Sequence, residues 1–353
     1  MIKTYKNKRV FVTGHTGFKG SWLITMLNHL GAEVMGYALA PHTVPSLYTV
    51  VNGDTHCNSV IADIRDKELL REKIIEFQPD FIFHLAAQPL VRESYLIPNE
   101  TFEVNAVGTA NVLDAIRELE KPCIGIMITT DKVYQNNETG QAYKETDPLG
   151  GYDPYSASKA CAELIIDSYR KSFFHPQDYA NHRKSIASAR AGNVIGGGDW
   201  ATDRLIPDIV RALAENHPVS IRNPKAVRPW QHVLEPLSGY LTLGVRMAQD
   251  PVKYAEAFNF GPHPADVLTV KEMADMALKI WGKGEVVFPA QNNQPHEAGL
   301  LSLDITKAET ILEWHPKFDA KQALEHTLEW YKAYYEKENM ICLLKTQIAT
   351  YFQ

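Results

Sequence analysis

The chain has 353 residues, 45% of them hydrophobic and 22% charged, with a formal net charge of −6. That length supports an ample core in one large or two smaller domains, and the acidic balance argues against a nucleic-acid partner, which would favour a basic surface. No apolar run nears the roughly 18 residues of a membrane span, and strand character begins too early in MIKTYKNKRV to leave room for a signal peptide. Cys57, Cys123, Cys161 and Cys342 form no C-x-x-C pair and sit in or near apolar segments. Buried free thiols in a reducing, cytoplasmic compartment are therefore expected.

In chain order, Val10-Phe11-Val12 reads as a buried parallel strand that stops at Gly14. Glycines follow at Gly14, Gly17 and Gly20, and an amphipathic helix begins at about Phe18. Without Cβ atoms the backbone can approach a pyrophosphate, to which the helix N-terminus offers free N–H groups and a positive dipole end. A tight turn with no ligand could use the same residues. It is not a P-loop, because Lys19 precedes Gly20 instead of following it. Trp22, Leu23, Met26, Leu27 and Leu30 recur at helical spacing, with Gly31 as a C-cap. A second strand at 33–37 ends in Gly36-Tyr37-Ala38-Leu39. It lacks the carboxylate that usually holds the adenosine ribose of NAD, and no clear arginine awaits a 2′-phosphate. NAD is favoured over NADP.

A third strand at 59–62 leads into Asp63-Ile64 and a helix at 67–77, for which Asp63 is a candidate N-cap. The run 81–87 is a buried strand ending in Leu85-Ala86-Ala87, small enough for a ring or pyrophosphate to lie on the backbone. A helix over 98–119 carries Asn105 among apolar neighbours, where it needs partners, chiefly backbone. The strand 124–128 ends in Thr129-Thr130-Asp131-Lys132-Val133-Tyr134, polar groups at the place where open α/β sheets bind ligands. A polar loop at 136–154 then covers the site. Tyr155 and Lys159 open the next helix four residues apart, on one face. There the Lys159 ammonium would lower the pKa of Tyr155 and ready it as a base. With a sixth strand at 186–191, the alternation gives a doubly wound parallel sheet.

Past Gly192 the pattern changes to helical stretches at 205–215, 236–248, 270–281, 307–312 and 320–335, with a proline- and arginine-bearing segment at 221–233. The expected division is a nucleotide-binding domain over 1–191 and a smaller, mostly helical substrate lobe over 192–353, from which strands could return to the sheet. In that lobe Arg204, Arg222 and Arg228 are candidates for a pyrophosphate, because a guanidinium fork suits phosphate oxygens. The 13 histidines show no H-x-x-x-H or similar spacing, so no metal site is expected.

Four motifs together, G-H-T-G-F-K-G-S-W at 14–22, T-T-D-K-V-Y at 129–134, Y-x-x-x-K at 155–159 and R-P-W-Q-H-V-L-E-P-L at 228–237, carry a family resemblance over nearly the whole chain. The chain resembles the extended short-chain dehydrogenases/reductases that act on nucleotide sugars, and within them the 4,6-dehydratases. The resemblance implies a Rossmann-like fold and NAD held by Gly14, His15, Thr16, Gly17, Phe18, Lys19, Gly20, Asp63, Ile64, Leu85, Ala86 and Ala87, with Tyr155 and Lys159. It implies CDP-glucose as substrate and a homodimer paired through 98–119 and 155–173. Tyr155 would take the 4-hydroxyl proton while Thr130 holds that hydroxyl, and Asp131 would protonate the departing 6-hydroxyl. Relatives carry T-D-E at this strand end, so Lys132 would inherit the glutamate's role of taking the C5 proton. Asn193 would contact the substrate phosphate, and His296 and Glu297 would close over base and ribose. A 4-epimerase would need Tyr155 but not the pair Asp131 and Lys132, for which the plain alternative is a loop salt bridge. A dinucleotide-sensing regulator on the same fold would commonly have lost Tyr155 or Lys159, and both are present.

Overall fold

The computed structural model describes residues 1–138, 140–263, 266, 268–288 and 301–353. Its central sheet grows from the apolar runs: β1 (Arg9–Thr13), β2 (Glu33–Ala38), β3 (Asn58–Ile61), β4 (Phe81–His84), β5 (Cys123–Ile128), β6 (Lys184–Ala191) and a seventh strand, Ala257–Phe260. All pairs are parallel, in the spatial order 257–260, β6, β5, β4, β1, β2, β3. Successive side chains serve opposite faces: Val10 and Val12 enter one core and Phe11 the other, as Phe81 and Phe83 oppose Ile82. Over the central strands both faces are covered, which is why β1, β4 and β5 read as largely apolar runs. The strand order reverses between β1 and β4, and at such a switch point a crevice opens beyond the carboxyl ends of the strands.

Helices form at Lys67–Phe77, Val270–Trp281 and Ala320–Tyr335, as the periodicity indicates. The last two begin with capping boxes, Thr269 with Glu272 and Asp319 with Gln322. Asp63 is not an N-cap. Asp66 caps the helix that follows, accepting from Leu69 N, while the Asp63 carboxylate accepts from Arg65 N at 2.8 Å and from its guanidinium at 2.6 Å. The segment 98–119 is not one regular helix either. Pro98–Phe102 and Gly108–Arg117 flank a π-turn, Glu103–Val107. Asn105 lies in that wider turn, fully buried. It accepts from Gln88 N and donates to Gln88 O and Ser158 Oγ, so its partners are backbone plus one serine. Met340–Phe352 is a helix that the sequence reading leaves unassigned. All four cysteines are free, but Cys123 alone is buried; Cys57 and Cys161 are half-buried and Cys342 is exposed.

Beyond residue 192, short strand pairs join 194–195 to 231–232, 227–228 to 268–269 and 219–220 to 286–287. These residues share a core with one face of the sheet. Trp22, Leu23 and Met26 belong to the same apolar cluster as Trp200, Trp330 and Tyr331, and Trp22 Nε1 donates to Gly197 O at 3.0 Å. Among the described residues no helix is long and apolar enough to cross a membrane.

Candidate active site

At the switch point the glycines of the β1 turn are sites of close approach. Gly14 has φ +76°, and a Cβ there would lie 2.7 Å from Ala86 N; at Gly20 it would lie 2.0 Å from Gly14 O. The Thr13 hydroxyl accepts from Leu85 N and Ala86 N at 3.1 Å each, which lashes the end of β4 to the end of β1. The helix Phe18–His29 then starts at Gly17 with no side-chain cap, leaving its first N–H groups for an anion. This cradle fits the pyrophosphate of a dinucleotide. At the end of β2, where a ribose-binding acid was sought, the His15 ring packs instead. A Cβ on Gly36 would lie 2.3 Å from that ring, and His15 Nε2 and Ser59 Oγ are 2.8 Å apart. Burial pushes the His15 pKa down to about 4, so the ring is neutral at physiological pH.

The helix Pro154–Ser172, which carries Tyr155 and Lys159, begins with Asp153 as cap, its carboxylate accepting from Ser156 N at 2.9 Å. Tyr155 N donates to Ser94 Oγ at 3.1 Å, which ties the helix start to the preceding helix, Val91–Leu96. Lys159 is buried, with Nζ 3.4 Å from Ile128 O at the end of β5. The next residues after β5 turn tightly: Thr130 donates its hydroxyl to Asp131 Oδ1 at 2.9 Å and also hydrogen-bonds Tyr155. Lys132 Nζ stands 3.7 Å from Asp131 Oδ1.

The expected depression of the Tyr155 pKa is not found. Burial pushes it up to about 12, outweighing the Thr130 hydrogen bond and the positive charge of Arg204, which favour the phenolate. Burial also lowers Lys159 to about 8, aided by the neighbouring charge of Lys19. Lys19 itself falls to about 8 through burial and then Arg204, with Asp131 opposing. Lys19 thus feels the charges of both Arg204 and Asp131.

A cavity of about 1310 Å³ brings these parts together. Thr130, Lys132 and Tyr155 line it, as do Phe18 and Lys19 of the cradle. Asn193, Arg204, Arg222 and Arg228 line it from the residues beyond 192. Asp131 is fully buried and is not part of that wall, nor is Lys159. Arg204 is paired with Asp199 at 2.8 Å and Arg222 with Asp203 at 2.7 Å. Asp203 also reaches Arg92 at 3.5 Å; Asp199, Asp203 and Arg92 were missed from sequence. Arg228 donates to Val227 O at 3.0 Å. His296 and Glu297 lie outside the described residues. Among the described residues no group of three or more His, Cys, Asp or Glu side chains could hold a metal ion.

A parallel sheet with a glycine cradle at its switch point, and a buried tyrosine–lysine helix facing a polar strand end, define an enzyme of the extended short-chain dehydrogenase/reductase class. Residues 11–327 match the family of GDP-mannose 4,6 dehydratase, and the chain belongs to that family of nucleotide-sugar 4,6-dehydratases. It is 48% identical over 347 residues to CDP-glucose 4,6-dehydratase of Salmonella typhimurium, covering 98% of this chain and 97% of that one. Among solved structures it resembles UDP-glucuronic acid 4-epimerase from Bacillus cereus in complex with UDP-glucuronic acid and NAD. The TM-score is 0.79 at 23% identity, over 93% of this chain and 100% of that one. It also resembles the Thermus thermophilus UDP-glucose 4-epimerase complex with NAD, at 25% identity and TM-score 0.77, over 92% and 99% of the two chains.

Proposed function

We propose that the chain is an NAD-dependent CDP-glucose 4,6-dehydratase, converting CDP-glucose to CDP-4-keto-6-deoxyglucose and water. The observation that carries this reading is the meeting of Tyr155 and Thr130 with the adjacent pair Asp131 and Lys132 at one end of β5. A 4-epimerase has no use for that acid–base pair.

The glycine cradle and the Leu85–Ala86 strand end would hold the dinucleotide, with Asp63 and Ile64 contributing further contacts. When bound, NAD supplies a reversible hydride acceptor, so the hydrogen removed from C4 can be returned at C6. Tyr155 takes the 4-hydroxyl proton on its phenolic oxygen, and Thr130 helps hold that hydroxyl. Once C4 is a ketone the C5 proton is acidic, and Lys132 is the group that takes it at Nζ. Asp131 gives a proton to the 6-hydroxyl, which leaves as water. The closeness of Lys132 to Asp131 lets the proton gained by one be balanced by the proton lost from the other. Asn193, Arg204, Arg222 and Arg228 supply donors for the pyrophosphate.

Cytosine presents an amine where uracil and thymine present a carbonyl, and a site built for that donor rejects the others strongly. With a panel of nucleoside diphosphate glucoses, kcat/KM for CDP-glucose should exceed that for UDP- and dTDP-glucose by about 10²-fold or more. NAD should be required without net reduction. Equal efficiency with dTDP-glucose removes the cytidine assignment, and NADH accumulating in step with product removes the dehydratase itself.

The same reading makes the protein a cytoplasmic homodimer. Val107 and Leu164, each more than half exposed on the helices proposed to pair, support this. A monomer mass by light scattering at micromolar concentration would contradict it. Residues 1–191 then serve the cofactor and 192–353 chiefly the nucleotide sugar.

A further inference from the structure

We propose that Gly192 is a positioning residue for the elimination step: its missing side chain gives the Asp131 carboxylate its place and its opening to the cavity. This rests on the reading of Asp131 as the acid. Gly192 lines the cavity and Asp131 does not, yet the two are in contact. A Cβ on Gly192 would lie 1.9 Å from Asp131 Oδ2 and 2.3 Å from its Cγ. No rotation about a flexible tail relieves an overlap with a short, fully buried carboxylate.

Neither partner is free to retreat. Asp131 Oδ1 takes the Thr130 hydroxyl, and Asp131 opens the tight turn Asp131–Val133 directly after β5. On the other side, residues 184–189 of β6 pair with β5, and its last residue, Ala191, pairs with Phe260. Gly192 O accepts from Gln231 Nε2 at 2.8 Å, and the same amide reaches Phe260 O at 3.1 Å. Residues 194–195 are then held by 231–232. The backbone at 192 is fixed before and after.

The carboxyl oxygen turned to Gly192, Oδ2, has no hydrogen-bond partner among the described residues. A buried polar group left so is costly unless a partner arrives. Gly192, which touches this carboxyl, itself lines the cavity together with Asn193, Thr130 and Tyr155. A hydroxyl of the bound sugar is a partner of the right chemistry, and any side chain at 192 would stand in its path.

The test is a double-mutant cycle of Gly192→Ala and Asp131→Ala, read by thermal unfolding midpoint and by turnover. In the wild-type background, Gly192→Ala should lower the midpoint by several degrees. With CDP-glucose and NAD, it should build up reduced-cofactor absorbance while product formation falls by about 10²-fold or more. In the Asp131→Ala background the space is vacant, and adding Gly192→Ala should change neither the midpoint nor the residual product rate. If Gly192→Ala alone gives no soluble protein, recovery of soluble protein in the double variant is the same positive result. An equal midpoint loss with and without Asp131, or wild-type product formation by Gly192→Ala, overturns the proposal. The midpoints decide the contact even in a protein that turns over no nucleoside diphosphate glucose, so the two readings fail separately.

Discussion

Tyr155 and Lys132 divide the proposed chemistry into steps that single substitutions can separate. Tyr155→Phe removes the oxygen that receives the 4-hydroxyl proton, so the first absorbance of reduced cofactor should slow by about 10²–10⁴-fold in a stopped-flow trace. Lys132→Ala leaves that oxygen in place. It should reach the same early absorbance at near wild-type rate and then stall, with little dehydrated sugar by mass spectrometry. Wild-type turnover by Lys132→Ala would make its contact with Asp131, 3.7 Å away, a plain loop salt bridge. The high pKa of Tyr155 in the ligand-free protein, about 12, has a bearing here. Burial dominates there, so a titration of the free enzyme should show Tyr155 not ionising near neutrality.

The loop from Asp199 to Arg204 sets two carboxylates against two of the arginines proposed to bind phosphate. Asp203 bridges Arg222 and Arg92, and a substrate pyrophosphate has to compete for the same guanidinium. Asp203→Ala should therefore lower KM a few-fold and leave kcat unchanged, since a part-exposed ion pair of this kind is weak. A higher KM would show that Asp203 orders the loop instead. Such pairs could not be read from sequence, because Arg92, Asp203 and Arg222 meet only through the fold. The same holds for the π-turn at 103–107, where Asn105 is drawn to Gln88 and Ser158. The helix Met340–Phe352 escaped for a different reason: its apolar residues run together, M-I-C-L-L, and give no clear period. What was legible was local: the glycine spacing, the cap residues, the apolar strands, and the motif residues at strand ends where an open sheet binds its ligands.

Across the whole molecule, three buried histidines join separate parts of the fold. His15 packs on Gly36, His84 lies between the hydroxyls of Thr13 and Thr109, and His232 contacts the rings of Trp22 and Phe318. Burial lowers His15 to about 4 and His84 and His232 to about 3. Below the unfolded value near 6.5 the unfolded chain binds protons that the fold refuses, so their contribution is complete above that pH and is lost as pH falls toward 4 and 3. The unfolding midpoint of the ligand-free protein should drop steadily from about pH 6.5 to 4; a flat profile there would mean that these rings charge without disturbing the fold. The strand Ala257–Phe260 sets a further condition, on synthesis. Until residue 260 has left the ribosome, β6, buried along all of its length in the finished protein, is an open edge able to pair with any other strand. The sheet closes late, from the far end of the chain. A fragment of 1–191 should thus aggregate or stay with chaperones when expressed alone, and co-expression with 192–353 should return it to solution.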